Sequence, residues 1–248
     1  MSETTAASCM QNYERFNLRS VGFPLPGSDI KLDNPDEKGQ GEICFRGRYV
    51  MMGYLKNEPA TREVFDKEGY LHSGDLGKYD DKGFLFITGR IKELIITAGG
   101  ENVAPVIIED IFKENCPPCS NIMVIGENQK YLAALITFKV DIDPIKGIPS
   151  KNLTPEAKNF FKSHLNVNLK TSDEAVSNEK VQKFIAACID KTNAKAVSRA
   201  ANIRKWKLLP EDFSISGGEL TPTLKLKRKV TEKKYQAFVD EMYQEAKL

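Results

Sequence analysis

The chain has 248 residues, of which 41% are hydrophobic and 28% are charged, so it has the length of one large or two small domains. This composition is typical of a soluble globular protein and excludes disorder for most of the chain. Thirty-six basic and 34 acidic residues leave a formal charge of +2, which provides no electrostatic footprint for nucleic acid. We therefore expect no nucleic-acid partner.

The five cysteines are scattered and odd in number, and no signal peptide precedes them, which predicts a reducing compartment and a cytoplasmic location. Cys116 and Cys119 flank two prolines, but a zinc site needs further ligands that His72 and His164 do not obviously supply. We interpret the two cysteines as loop residues. The longest apolar stretch, residues 132–136, predicts no transmembrane segment. Peripheral contact with the endoplasmic reticulum membrane stays open.

The first predicted elements lie between residues 20 and 54, where short alternating apolar runs are interrupted by prolines and glycines. This pattern predicts short antiparallel strands in a small barrel-like sheet. Residues 59–64 are predicted to form a short helix. Residues 80–83 are predicted to form a tight hairpin turn.

After Arg90 the pattern becomes mixed. Residues 91–97 are predicted to form a buried strand, and Pro105 is predicted to open a helix. Residues 122–125 and 132–138 are predicted to form a second hairpin. The region therefore has the pattern of an α+β module.

Three further helices are predicted from apolar residues at helical spacing. The first covers residues 155–165, and the second contains Val181 and Ile189. The third closes the chain with an apolar stripe from Tyr235 to Ala246, which we interpret as a core-facing surface.

Four stretches contain polar residues or glycines suited to binding chemistry: residues 2–4, 70–76, 88–103 and 220–228. In this order they resemble motifs of the adenylate-forming acyl-CoA synthetase superfamily. The region from Gly41 to the last stretch is most similar to the long-chain, bubblegum-type fatty acid synthetases. The resemblance covers nearly the whole chain.

Asp75 and Arg90 are the candidate nucleotide-binding residues. The two carboxylate oxygens of Asp75 suit two neighbouring sugar hydroxyls, although a turn-capping role is the alternative. The planar donors of Arg90 suit a ribose or a phosphate, although a surface ion pair is the alternative. The resemblance implies that Asp75 binds the ribose of AMP.

The resemblance implies a hinge and a contact with coenzyme A. Lys92 matches the position at which the superfamily pivots its small C-terminal domain between two arrangements. Gly99 and Gly100 would ordinarily form a plain turn. The resemblance implies that they let the backbone approach the pantetheine arm of CoA.

Ser2 and Glu3 resemble the end of the family's Tyr-Gly-x-Thr-Glu motif, in which the carboxylate helps to hold the Mg²⁺ on ATP. The Tyr and Gly of that motif have no counterpart in this chain. We expect Ser2 and Glu3 to contribute to the nucleotide site, with Glu3 as the metal ligand.

Lys225 lies in a basic cluster, which is usually a solvated face. Alignment with the family's Thr-Gly-Lys pattern implies that Lys225 is the catalytic lysine, bridging the carboxylate substrate and the α-phosphate. Leu224 stands where that pattern has glycine, and Lys227 is the alternative lysine.

The family's phosphate-gripping loop, which ends in Pro-Lys, has no counterpart in this sequence. The resemblance therefore implies a C-terminal portion with a partial adenylate-forming enzyme fold, α+β in class. The expected domains are a barrel-like subdomain at residues 1–89, a hinge at 90–92 and a mobile α+β lid at 93–248. A helical insert is expected at about residues 141–200.

The implied function is that of a long-chain fatty acid CoA ligase, with fatty acid, ATP and CoA as ligands and Mg²⁺ as cofactor. We expect the chain to be inactive alone. A non-catalytic truncated isoform that binds nucleotide or a protein partner is the alternative. A luciferase-like or peptide-synthetase adenylating domain is disfavoured by the residues 222–227 and by the long insert.

Overall fold

Thirteen strands and seven α-helices lie in residues 1–5, 7–143, 145 and 147–244, which the computed structural model describes. The strands are β1 (Cys9–Met10), β2 (Phe23–Pro24), β3 (Asp29–Asp33), β4 (Gly41–Arg46), β5 (Leu71–Tyr79), β6 (Leu85–Arg90), β7 (Ile95–Ile96), β8 (Asn102–Val103), β9 (Cys119–Ile125), β10 (Leu132–Phe138), β11 (Val140–Ile142), β12 (Pro149–Leu153) and β13 (Ile203–Leu208). The helices are α1 (Glu58–Val64), α2 (Pro105–Asn115), α3 (Pro155–Leu165), α4 (Ser172–Ser177), α5 (Glu179–Asn193), α6 (Arg228–Lys234) and α7 (Gln236–Gln244). The α+β class is confirmed. The chain divides into two units, Met1–Leu94 and Ile95–Leu248.

The first unit is built on a four-stranded antiparallel sheet with the strands in chain order, β3-β4-β5-β6. β3 and β6 do not pair with each other among the described residues, so the barrel-like sheet is open. The predicted turn between β5 and β6 is confirmed, because Asp80 Oδ1 accepts hydrogen bonds from the amides of Lys82 and Phe84. The predicted short helix is α1, which Asn57 caps by accepting from the amide of Ala60.

The predicted buried strand at residues 91–97 is wrong. A 3₁₀ helix, Ile91–Glu93, is followed by the two-residue strand β7. Ile91 and Ile96 are 41% and 46% exposed, so the apolar run does not follow one buried face. β7 pairs only with β8, and the turn at residues 97–101 ends it.

The second unit is built on a three-stranded sheet in the order β13-β10-β9. All seven residues of β10 are buried, and successive side chains alternate between two hydrophobic clusters. On one face Leu132 packs in a cluster with Phe112, Phe161 and Ile185 from α2, α3 and α5. On the other face Leu135 shares a cluster with residues of α7.

Several predicted elements of this unit are confirmed, namely α2, α3, α5 and the β9–β10 hairpin. The predicted closing helix is confirmed as α7, in which Val239 and Met242 are buried, whereas α6, which precedes it, was not predicted. Ala246 of the predicted stripe lies outside the described residues. The short helix α4 and the strand β13, which runs parallel to β10, were not predicted.

The interpretation of the two cysteines as loop residues is confirmed for Cys116, which directly follows α2, and is wrong for Cys119. Both side chains are buried, with 0% and 4% exposure, and Cys119 begins β9. Their sulfur atoms lie 3.0 Å apart in the core beside Cys188. Within the described part of the chain, no helix combines the length and apolar character that a membrane crossing requires.

Candidate functional site

Asp75 and Arg90 are cross-strand neighbours in the first unit. The register of β5 and β6 places them opposite each other, and Arg90 Nε donates to Asp75 Oδ1 at 2.7 Å. This bond raises the pKa of Arg90. Among the described residues Asp75 Oδ2 has no partner. The structure therefore brings the two predicted residues together with a carboxylate oxygen left for a ligand.

The turn before Asp75 depends on Gly74, whose φ is +73°. A Cβ there would meet no atom within 4 Å, so the left-handed backbone, not lack of space, favours glycine. Ser73 Oγ accepts a hydrogen bond from the amide of Asp75 at 3.0 Å. These contacts fix the backbone from which the Asp75 carboxylate projects.

Glu42 on β4 contacts this turn, and sequence reasoning gave it no role. Its Oε1 accepts from the amide of Gly74 at 2.8 Å, and its Oε2 lies 2.7 Å from His72 Nδ1. The only sequence signal was its place at the start of the region that resembles the long-chain synthetases.

Glu42, Cys44 and His72 offer potential metal-ligand atoms that all lie within 4.8 Å of one another. Hydrogen bonds already engage this group, because the imidazole contacts Glu42 and lies 3.5 Å from the Cys44 sulfur. Burial raises the pKa of Cys44 to about 12, so the thiol stays protonated near neutral pH. We interpret the group as a hydrogen-bonded network.

Glu3 makes a minor electrostatic contribution at Arg90. It lies in the 3₁₀ helix Ser2–Thr4, and its Oε1 accepts from the hydroxyl of Tyr54 at 3.2 Å. The hydrogen bond and charge of Asp75 chiefly raise the pKa of Arg90, the charge of Glu93 contributes less, and that of Glu3 contributes least. The described hydrogen bonds do not join Glu3 to Asp75 or Arg90, and Ser2 is exposed.

Lys92 is an exposed residue of the 3₁₀ helix Ile91–Glu93. It precedes by two residues the point where the two units divide, between Leu94 and Ile95. No observation tests the predicted pivot at residues 90–92, which stays a prediction.

Gly99 and Gly100 lie in the turn that joins β7 to β8 in the second unit. Gly100 has a φ of +78°, whereas Gly99 is not left-handed. A Cβ on Gly99 would meet only Thr97 Oγ1, at 3.8 Å. The second unit's own backbone thus explains the glycine at position 100 and leaves the glycine at 99 unexplained.

Lys225 lies at the end of a second tight turn of the same unit. Pro222 and Thr223 form its corner, and Leu224 has a φ of +60°. The Lys225 amide donates to Thr221 Oγ1 at 3.0 Å. The Lys225 side chain is exposed, and its ammonium has no ion-pair partner among the described residues.

Two buried carboxylates anchor the chain on either side of Lys225, and sequence reasoning missed both. Glu219 is 1% exposed and pairs with Lys234. Glu109 on α2 is 5% exposed and accepts two hydrogen bonds from the Arg228 guanidinium, at 2.7 and 2.6 Å. Such bidentate pairs are geometrically specific, so they fix the base of the turn.

Comparisons with known proteins find similarity to AMP-binding enzymes in two segments of the chain. Residues 1–55 match the family model of the AMP-binding enzyme. Residues 92–153 match the model of the AMP-binding enzyme C-terminal domain.

Two similar relatives are long-chain-fatty-acid–CoA ligases. The chain is 48% identical over 247 residues to ACSBG2 of Gallus gallus. This alignment covers 99% of this chain and 32% of the relative. It is 46% identical over 249 residues to ACSBG1 of Rattus norvegicus, in an alignment that covers 100% of this chain and 34% of the relative. The chain thus spans about a third of the length of these relatives.

A solved structure shares the fold. The o-succinylbenzoate CoA synthetase of Bacillus subtilis, in complex with an acyl-adenylate intermediate, superposes with a TM-score of 0.63 at 23% identity. The match covers 92% of this chain and 39% of that protein. The same enzyme in complex with ATP and magnesium ion gives a TM-score of 0.57 at 23% identity.

Proposed function

We propose, on the premise that this chain belongs to the AMP-binding enzymes, that it supplies the C-terminal part of a long-chain fatty acid CoA ligase. In this reaction a fatty acid carboxylate attacks the α-phosphorus of ATP and releases diphosphate. The thiol of CoA then attacks the acyl carbonyl of the adenylate and releases AMP. The observation that carries the proposal is the Asp75–Arg90 pair, in which one Asp75 carboxylate oxygen has no partner among the described residues and lies at a motif position.

Asp75 is proposed to accept hydrogen bonds from the ribose hydroxyls. Arg90 holds Oδ1 through Nε, which orients the carboxylate and leaves Oδ2 for the sugar. The other guanidinium donors of Arg90 are suited to a phosphate or ribose oxygen. In this proposal the ion pair between Asp75 and Arg90 is part of the nucleotide site, so Arg90 forms an ion pair and binds nucleotide as well.

Glu3 is the residue proposed to hold the Mg²⁺ of ATP. Its carboxylate fits that ion, because Mg²⁺ in nucleotide sites is bound through one or two carboxylates together with substrate phosphates and water. When bound, the ion neutralises phosphate charge. Within the chain, the Tyr54 hydroxyl orients Glu3 by donating to Oε1.

Lys225 and Gly99 are proposed to serve different half-reactions. The exposed ammonium of Lys225, which has no ion-pair partner in the described part of the chain, lies at the tip of an anchored turn and can reach the carboxylate and the α-phosphate during adenylation, where charge accumulates. The second unit has room for a side chain at position 99, so its fold does not require a glycine there. Gly99 is instead proposed to leave space beside the backbone for the pantetheine arm of CoA. Lys225 directly follows the left-handed residue of its turn, which favours it over Lys227.

The chain is proposed to lack activity alone, because no described loop is assigned to the β- and γ-phosphates and about two thirds of the relatives' length is not represented. A cytoplasmic location and peripheral membrane contact also stay predictions.

A chimera tests the proposal. The chain would replace the matching third of the Gallus gallus ligase, and acyl-CoA formation would be followed with ATP, Mg²⁺, CoA and a long-chain fatty acid. We expect activity in the chimera and none in the isolated chain. Asp75→Ala should raise the KM for ATP by about tenfold to a hundredfold, since it removes charge-assisted hydrogen bonds.

An inactive chimera that folds and matches the parent enzyme in thermal stability would contradict the proposed ligase function. Turnover by the isolated chain of order 10 per second, an ordinary enzyme value, would contradict its incompleteness. An unchanged KM for ATP in the Asp75→Ala chimera would overturn the role of Asp75.

A further inference from the structure

We infer that Glu42 is a positioning residue for the nucleotide site, because its carboxylate holds the backbone that carries Asp75. The inference rests on the proposed function only for the ligand of Asp75. The contact itself is a property of the first unit, in which β4 and β5 are adjacent strands.

An irregularity in the β4–β5 ladder creates the need for this contact. Cys44 pairs with His72, and Glu42 pairs with Leu76. Between these two pairs the chain advances by two residues on β4 but by four residues on β5. The intervening residues of β5 bulge away from the ladder, and the Gly74 amide loses its regular strand partner. The Glu42 side chain takes that place by accepting from Gly74 at 2.8 Å.

A carboxylate is suited to this position because it has two acceptor oxygens. Oε1 binds the amide of Gly74, and Oε2 contacts the imidazole of His72 at the start of the bulge, at 2.7 Å. The Glu42 side chain is only 17% exposed, so solvent screens these charge-assisted bonds weakly. One side chain therefore fixes two points of the bulge.

The fixed bulge determines where the Asp75 carboxylate lies. Gly74 immediately precedes Asp75, and Ser73 Oγ holds the Asp75 amide at 3.0 Å. On the other side Arg90 Nε holds Asp75 Oδ1. Glu42 contacts neither Asp75 nor Arg90 through a described hydrogen bond, so it acts on the site through Gly74.

The other groups around His72 do not replace Glu42. The Cys44 sulfur lies 3.5 Å from Nδ1, and Asp66 Oδ2 lies 3.7 Å from Nε2. Asp66 is instead paired with Lys31 at 2.7 Å. In the described part of the chain, the side chain that accepts the hydrogen bond from the Gly74 amide is that of Glu42.

Amide hydrogen exchange in the 248-residue chain tests the contact itself. Glu42→Leu removes both acceptors and should accelerate exchange at Gly74 by about tenfold, as expected for loss of a charge-assisted bond. Glu42→Gln keeps an amide oxygen for Gly74 and should preserve most of the protection. Asp33→Asn is the matched control, since Asp33 lies opposite Glu42 in the β3–β4 register and should leave Gly74 unchanged.

Kinetics in the chimera test the consequence. Glu42→Leu should raise the KM for ATP about tenfold with little change in the KM for the fatty acid, and Glu42→Gln should recover most of the loss. If Glu42→Leu fails to fold, Glu42→Asp serves instead, because the shorter carboxylate cannot reach both partners.

The two experiments separate the inference from the proposed function. Unchanged Gly74 exchange in Glu42→Leu would overturn the inference whether or not the chimera is active. Faster exchange together with an unchanged KM for ATP in an active chimera would also overturn it. An inactive wild-type chimera contradicts the ligase function, and AMP titration of the isolated chain then tests whether Glu42→Leu weakens nucleotide binding.

Discussion

The second unit builds the same tight turn twice, once with glycine and once with leucine at the left-handed position. At residues 97–101 the Gly100 amide donates to the Thr97 carbonyl at 2.9 Å, and the Thr97 amide donates to Glu101 at 3.1 Å. At residues 221–225 the Leu224 amide donates to the Thr221 carbonyl, and the Thr221 amide to Lys225, both at 2.8 Å. In each turn the threonine Oγ1 accepts from the last amide.

The difference shows how a turn can keep a conformation that its sequence does not favour. Glycine adopts a positive φ without a steric penalty, whereas a left-handed leucine costs on the order of 1–2 kcal/mol. The leucine turn is anchored by Glu219 and by the Glu109–Arg228 pair. We infer that these anchors offset the strain at Leu224 and present Lys225 on a rigid base.

The largest expected effect is that substitutions in the two turns slow different half-reactions. In the chimera, Lys225→Ala should slow acyl-AMP formation by about a hundredfold to a thousandfold, as expected when a stabilising contact in the transition state is lost. It should still convert supplied acyl-AMP and CoA to acyl-CoA. Gly99→Leu should do the opposite, because a side chain would block the pantetheine approach.

Single-turnover assays of each half-reaction decide this prediction, with Lys227→Ala as the matched lysine control. Equal impairment of both half-reactions by both variants would contradict the division of labour between the turns. Selective loss in Lys227→Ala would move the catalytic role from Lys225 to Lys227.

The next effect concerns the anchor of the leucine turn. Arg228→Met should destabilise the chain by about 3–5 kcal/mol, because it leaves the buried Glu109 carboxylate without its charged partner. The double variant Glu109→Leu with Arg228→Met should recover only part of this loss, because Glu109→Leu also removes the acceptor of the buried Val124 amide, which donates to Glu109 Oε1 at 2.8 Å. Urea unfolding measures both, and Lys229→Met, at an exposed position, is the control. A double variant as unstable as the single one would show that the pair, together with its bond to the Val124 amide, is a net source of stability.

In the glycine turn, substitution of Gly100, which has a positive φ, should cost more stability than substitution of Gly99, which does not. Gly100→Ala should destabilise the chain by about 1–2 kcal/mol, because alanine is strained at a positive φ. Gly99→Ala should change the free energy of unfolding by less than about 0.5 kcal/mol, as is usual at exposed positions without a special feature. Denaturant unfolding of the pair measures the contrast. Equal destabilisation by the two variants would mean that both glycines serve the fold.

The sequence predicts the parts of this fold that depend on local patterns. Helices α2, α3 and α5 follow from apolar spacing, and the resemblance singled out Asp75, Arg90 and Lys225. The contacts that hold those residues were not predictable in this way, because Glu109 and Arg228 lie 119 positions apart. Glu42 contacts Gly74 from 32 positions away and only because the β-ladder is irregular between them. The left-handed conformation of Leu224 was missed because leucine does not signal it.

The smallest expected effect concerns Leu224 itself and tests whether the leucine turn is strained. Leu224→Asn should stabilise the chain by about 0.5–1 kcal/mol, since asparagine tolerates the left-handed region better than leucine. The loss of apolar contact is small, because Leu224 is 69% exposed. Leu224→Gly relieves the strain of about 1–2 kcal/mol but gives the unfolded chain more conformational freedom at a cost of about 0.4–1 kcal/mol, so it should also stabilise the chain, by about 0.5–1 kcal/mol.

Leu224→Ala is the control that separates strain from side-chain contact, because alanine keeps the unfavourable backbone angle and removes most of the side chain. Its stability should match that of the parent chain, and the order of stability in denaturant unfolding should be asparagine and glycine above alanine and leucine. If asparagine is neutral and alanine destabilises, the leucine side chain is held by packing rather than tolerated under strain. The anchors at Glu219 and Arg228 would then have no strain to offset, and the stability cost of Arg228→Met would belong to the buried Glu109 charge alone.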